Sequence, residues 1–218
     1  MERQIASSLL SIGAVFLRPE QPFTWASGIH SPIYCDNRLI LSAPAVRDRV
    51  EAGLAELVRI HYPDCRMLMG TSTAGIAHAA LAAQILDLPM GYVRGENKSH
   101  GRTNRIEGRL EPGTKTVVVE DLISTAGSAV ETVEALREAG ADVLGIVSIF
   151  TYGMQRGLDR LAAAGTVNHS LSNLDALLEV AVEDGSLARE WQERIRRFRD
   201  NPSDESWMKA NNQTYNSL

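Results

Sequence analysis

The segment "TKTVVVEDLISTAGSAVETVEALREAG" (114–140) restricts the fold more than any other part of the chain. An apolar, β-branched run stops at Glu120 and Asp121, passes through Ser, Thr, Ala and Gly, and continues into a helical pattern. A short continuous apolar run bounded in this way reads as a buried strand, of the kind found in parallel sheets covered by helices. Parallel strands need long crossover connections, usually helices. The segment is therefore a strand–turn–helix unit, and it asks the rest of the chain to supply more of the same.

The rest of the chain does. "CRMLMG" (65–70) reads as a buried strand, "TAGIAHAALAAQILDL" (73–88) as an Ala-rich helix, "PMGYVR" (89–94) as a second strand and "DVLGIVSIF" (142–150) as another, with a helix near 128–139 between the last two strands. Upstream, Val46, Val50, Leu54 and Leu57 share one face of a helix over 42–61, with Ser42 and Pro44 as start signals. Helices are also expected around 154–164, 173–183 and 186–199, the last with Glu190–Arg194 and Glu193–Arg197 as i,i+4 ion pairs and a solvated end at 194–202. Residues 95–110 are polar and glycine-bearing, and read as a long loop or exposed ribbon. This alternation predicts an α/β fold, a parallel sheet with helices on both faces. The length of 218 residues suits one domain over 1–218. Within it, residues 65–150 form the sheet core and 151–218 the C-terminal helices.

Bulk properties remove several function classes. The net charge of −5 gives no basic surface for nucleic acid. Cys35 and Cys65 are too few for a disulfide framework and are not spaced as metal ligands, which points to a reducing cytoplasm; the five histidines show no zinc spacing. No apolar run approaches the roughly 18 residues of a membrane span, so no membrane partner is expected. At the N-terminus, Ile5, Leu9, Ile12 and Phe16 fall at helical spacing behind Glu2, as in an amphipathic helix docked on the domain rather than an export signal.

Ligands of parallel sheets gather beyond the carboxyl ends of the strands, where Glu120 and Asp121 lie. Burying both without partners is costly, and vicinal sugar hydroxyls are suitable donors to them. Downstream, the helix-opening "STAGS" (124–128) offers free backbone N–H groups, the hydroxyls of Ser124, Thr125 and Ser128, and a helix dipole, while Ala126 and Gly127 permit close approach. Together these suit a phosphate dianion. The plainer alternative is a capped helix after a strand with two exposed acids. A second small-residue turn, "GTSTAGIAHA" (70–79), begins as a P-loop does but carries Ile76–Ala77 where Lys–Ser/Thr belongs, which removes the nucleoside-triphosphate reading. Thr71, Ser72 and Thr73 remain as donors at a helix start. Between Arg94 and Arg109 stand five cations against two carboxylates, a local surplus of positive charge in an acidic chain. "FTWASGIHSPIYCDNR" (23–38) is turn-rich, and its aromatics Phe23, Trp25 and Tyr34 are equally readable as core.

Set side by side, these stretches resemble one family. "VVVEDLISTAGSA" is similar to the phosphoribosyl-pyrophosphate (PRPP) signature of type I phosphoribosyltransferases, and "GTSTAGIAHA" to their pyrophosphate loop. "RGENKSHG" (94–101) resembles the mobile catalytic loop of the orotate branch, with Arg94, Lys98, His100 and Gly101 matching. The 23–38 element resembles its base-binding hood. Gly95 departs from the pattern, since many members carry a second lysine there, and that absence removes a charge from the pyrophosphate side. Ala26 also departs from members that carry lysine, so it receives no base-binding role.

The resemblance implies a type I phosphoribosyltransferase fold with a small N-terminal hood over 1–40. It implies transfer of phosphoribose from PRPP to orotate, with Mg2+ held mainly by PRPP and not by protein side chains. Glu120 and Asp121 would hold the ribose; Leu122, Ile123, Ser124, Thr125, Ala126, Gly127 and Ser128 the 5′-phosphate; Thr71 and Ser72 the pyrophosphate. Arg94, Lys98 and His100 would close over the leaving group, and Lys98, His100 and Asp121 would act in catalysis. Ser124, Phe23 and Tyr34 would contact orotate. A homodimer sharing the 94–109 loop between subunits follows from the same resemblance. A PRPP-sensing regulator is the rival, disfavoured by the Lys98–His100 loop and by the lack of a helix-turn-helix segment. A transferase for another base is the second rival, and the 23–38 element speaks for orotate.

Overall fold

The computed structural model describes residues 1–25, 28–95 and 105–209. The chain opens with α1 (Glu2–Ser11), β1 (Val15–Leu17), β2 (Phe23–Thr24), β3 (His30–Ser31) and β4 (Ile33–Cys35). A 3-10 turn (Asn37–Ser42) leads to α2 (Pro44–His61), β5 (Met67–Thr71), α3 (Gly75–Leu86), β6 (Met90–Val93) and β7 (Ile106–Glu107). Then follow β8 (Lys115–Ile123), α4 (Gly127–Glu138), β9 (Asp142–Thr151), α5 (Gln155–Ala163), β10 (Asn168–Asn173), α6 (Leu174–Glu183) and α7 (Arg189–Asp200), with a closing 3-10 turn (Glu205–Met208).

The central sheet has the order β10–β9–β8–β5–β6–β7, parallel throughout except for the β6–β7 ribbon. Side chains along a strand alternate between faces, and the two cores follow that alternation. Val117 and Val119 of β8 join the core shared with α1, α2, α3, α6 and α7, while Val118 joins the one under α4. Helices on both faces are thus set by a strand whose run Val117–Val119 is apolar at every position. The hood is two small antiparallel pairs, β1–β4 and β2–β3, outside the main sheet.

Four expectations change. Phe16 is not on the first helix: α1 stops at Ser11, and Phe16 stands opposite Tyr34 in the β1–β4 pair, 37% exposed. β10 was not anticipated, because "NHSLSN" is polar; an edge strand needs little apolar surface, and only Leu171 and Ser172 of it are buried. The i,i+4 pairs of α7 do not form. Arg194 stacks on Trp191, 3.7 Å from the ring centroid, and donates Nε to Trp207 O, while Glu193 reaches Arg196. Nor is 194–202 simply solvated, since Ile195 and Phe198 are fully buried.

At one point the sheet and a helix touch backbone to backbone. A Cβ on Gly75 would lie 2.4 Å from Val119 O and 2.5 Å from Thr71 Oγ1. No flexible side-chain end is available there to move aside. Gly75→Ala is expected to destabilise the fold by about 1–3 kcal/mol, the usual range for overpacking. Urea denaturation checks this, and a midpoint equal to that of the parent chain would show that α3 shifts freely.

Candidate functional site

β8 runs to Ile123, four residues past its apolar run, so Glu120 and Asp121 lie within the strand. They point to opposite faces and meet different fates. Glu120 is 4% exposed and fully engaged. Its Oε1 accepts from Thr71 Oγ1 at 2.6 Å and from the Asp121 N–H at 3.0 Å, and its Oε2 accepts from Ser128 Oγ at 2.9 Å. One carboxylate thereby joins the end of β5 to the first turn of α4. Burial raises the Glu120 carboxyl to about 7, against the pull of the Thr71 and Ser128 hydroxyls; the charge of Asp121 adds to the rise. Thr71 and Ser128, expected as donors to ligand phosphates, have their hydroxyls turned to Glu120.

Asp121 stays half-buried. Its carbonyl accepts from Asn37 Nδ2 at 2.8 Å, and Asn37 Oδ1 accepts from Cys35 Sγ at 3.3 Å. The hood is therefore fastened to the end of β8 through one buried amide, 1% exposed. Burial first, then the Asp121 charge, holds the Cys35 thiol far above its usual range, so it offers no thiolate nucleophile. Tyr152, buried beside this group, is likewise held well above the ordinary phenol value by burial.

The turn after β8 has the form expected of an anion site. Ala126 is left-handed (φ 57, ψ 20), and α4 starts at Gly127 without a side-chain cap. A left-handed residue before a helical one aligns successive N–H groups into a concavity, and the first-turn N–H groups of α4 have no intrahelical acceptor. Ser124, Thr125 and Gly127 are half-buried around it, while Leu122 and Ile123 belong to the strand.

The second turn lies beside the first. The Ser72 N–H donates to Val93 O at 3.3 Å, and the Ser72–Thr73 peptide is cis. A Cβ on Gly95 would stand 3.9 Å from Ser72 Oγ, so the basic segment leaves the sheet directly over this turn. Arg94 and Arg105 face each other across the ribbon, the Arg94 N–H donating to Arg105 O at 2.8 Å, and Arg94 Nε lies 3.2 Å from Glu107 Oε1. Lys98 and His100 fall outside the described residues, as does Ala26.

In the hood, the rings of Phe23 and Tyr34 pack 5.5 Å apart, with the Arg18 guanidinium 5.4 Å from the Phe23 centroid. C-terminal residues brace it. Trp25 meets Phe198 edge-on at 5.8 Å, Phe198 meets Trp207 at 5.7 Å, and His30 Nδ1 is 2.7 Å from Glu205 Oε1. Neither the contact of Trp25 with Phe198 nor the Asn37 link, which spans 84 positions of chain, has a local signal in the sequence.

With this geometry in view, comparison with known proteins is decisive. Residues 40–173 match the phosphoribosyl transferase domain family. An orotate phosphoribosyltransferase of Bacillus cereus is 56% identical over 210 residues, covering 96% of this chain and all of that one. The chain belongs to the orotate phosphoribosyltransferase family. Among solved structures, the orotate phosphoribosyltransferase of Aeropyrum pernix superposes with a TM-score of 0.73 at 29% identity, covering 84% of this chain and 99% of that one. The UMP synthase of Leishmania donovani superposes at 0.77 with 27% identity, over 90% of this chain and 41% of the longer partner. Type I phosphoribosyltransferase architecture and enzyme identity, expected from four motifs, are thereby established. Among the described residues no helix is long and apolar enough to cross a membrane.

The buried Glu120 makes a pH prediction. Its folded pKa lies above the carboxyl value of the unfolded chain, so its stabilising contribution is complete below about pH 4.5 and is lost as pH rises through about 7. Glu120→Gln should match the parent near pH 4.5 and exceed it at pH 8, by roughly 1–3 kcal/mol. Thermal unfolding at both pH values checks this; a gap that does not grow with pH would mean that Glu120 ionises freely in the fold.

Proposed function

We propose that this chain transfers the 5-phosphoribosyl group of PRPP to orotate, releasing pyrophosphate and forming orotidine 5′-phosphate in pyrimidine synthesis. The observation that carries this reading is the meeting at one strand end of the 124–128 turn, the Glu120–Asp121 pair and the Asn37-anchored hood. Relatives that share most of the chain support the choice of orotate.

The bond from the anomeric carbon to the pyrophosphate oxygen breaks with its electron pair leaving on oxygen, and a bond to a pyrimidine nitrogen forms as that nitrogen gives up its proton to the leaving pyrophosphate or to solvent. Asp121, half-buried at the strand end, is placed to face the ribose and its developing positive charge. Ser124 and Thr125 stand between phosphate and base, and Phe23 and Tyr34 on the base side. Magnesium suits the site as a companion of the substrate: a hard cation takes oxygen ligands and keeps several waters, so the oxygens of PRPP would hold it without a dedicated protein cage. Among the described residues no group of three or more His, Cys, Asp or Glu is gathered to hold an ion. The ion would neutralise charge growing on the leaving pyrophosphate.

Arg94, Lys98 and His100 complete the site from the basic segment. They add positive charge where negative charge develops and exclude water that would hydrolyse PRPP. This segment is offered to the neighbouring subunit of a homodimer, and a cytoplasmic location fits a biosynthetic enzyme with two unpaired cysteines.

Incubation with PRPP, magnesium and orotate, adenine or xanthine tests the assignment: orotate alone should be consumed, and consumption of a purine instead would refute it. Lys98→Ala should lower turnover by about 10²–10³ with folding intact, as for removal of one preorganised donor. Asp121→Asn should weaken PRPP use, read as kcat/KM for PRPP; an unaltered value would remove Asp121 from the ribose.

A further inference from the structure

Arg160 stands on α5, behind the turn that joins β8 to α4. Its Nη1 donates to Thr125 O at 3.0 Å. Two glycines make this approach possible: a Cβ on Gly157 would lie 2.4 Å from Ser124 O, and one on Gly127 would lie 2.9 Å from Arg160 Nη1. Among the described residues Arg160 has no carboxylate partner, and its neighbour Asp159 accepts instead from Gln155 at 2.7 Å. A half-buried guanidinium without a counter-charge is thus held against a backbone carbonyl at the rear of an anion-shaped turn.

The geometry of the peptide bond gives that contact a consequence. A trans peptide holds its C=O and N–H antiparallel. Drawing Thr125 O toward Arg160 therefore aims the Ala126 N–H to the opposite side, toward the concavity. Ala126 is the left-handed residue of the turn, a conformation that costs a non-glycine residue about 1–2 kcal/mol and so needs support from its surroundings. The hydrogen bond from Arg160 is one such support, and its charge adds to the positive end of the α4 dipole.

We infer, on the reading of residues 124–128 as the sugar-phosphate site, that Arg160 is a positioning residue of that site. It fixes the Thr125–Ala126 peptide so that the Ala126 N–H meets the 5′-phosphate, and it supplies a positive charge from behind. It touches no reacting atom. Its effect falls on the phosphate-bearing end of the substrate and leaves the pyrophosphate turn, 71–75, unaffected.

Titration calorimetry with ribose 5-phosphate and, separately, with magnesium pyrophosphate tests this on the full chain. Arg160→Met should weaken ribose 5-phosphate about tenfold, the order of one hydrogen bond to a charged group, and change pyrophosphate affinity by less than about twofold. Arg160→Lys, which keeps the charge with a single donor head, should recover part of the loss. In steady state the Met variant should raise KM for PRPP more than it lowers kcat. Equal ribose 5-phosphate affinity in parent and Met variant overturns the inference, as does a parallel loss of both ligands with a lowered melting temperature, which is the signature of a purely structural clamp. A parent protein that binds pyrophosphate but not ribose 5-phosphate overturns the cradle itself, and the role of Arg160 with it.

Discussion

The carboxylate of Glu120 is the tie on which the rest of the site depends. It sits inside a central strand of the sheet, and it accepts hydrogen bonds from Thr71, the last residue of β5 where the following turn begins, and from Ser128, in the first turn of α4. Both turns are made of small residues with little packing surface of their own. A single buried acceptor with two hydroxyl donors holds them at a fixed separation. A buried carboxylate is expensive unless satisfied, and here the satisfaction itself links the two turns.

Around that tie, close approach is obtained by removing side chains rather than by adding contacts. Gly75 lets α3 rest on Val119 O, Gly157 lets α5 rest on Ser124 O, and Gly127 makes room for Arg160. Each of these contacts is closer than a methyl group would allow. Small residues thus bring α3 against the backbone of β8 and α5 against the turn that follows it.

The hood is built differently. The hood is two short antiparallel pairs, and isolated pairs of this size are marginal in water. It keeps its place through the Asn37 amide on Asp121 O and through the ring contacts of Trp25 with Phe198, which Trp207 extends. The C-terminal helix thus has a task that its charged composition conceals: its apolar edge, Trp191, Ile195 and Phe198, forms part of the core that the hood rests on.

The sequence by itself determined the strand–turn–helix units, because a run such as Val117–Val119 between polar ends has one way to be buried on both faces. It also located the two small-residue turns and the basic segment, since small residues at a helix start and clustered cations are local signals that depend only on neighbours along the chain. It did not determine β10, whose polar edge position leaves no apolar pattern. Nor did it determine the partners of Glu120, Asp121 and Arg160, or the ion pairing of α7. Those depend on which groups are brought together from 8 to 84 positions away. Hydrogen bonds of that kind obey distance in space, and only the tertiary fold fixes that distance.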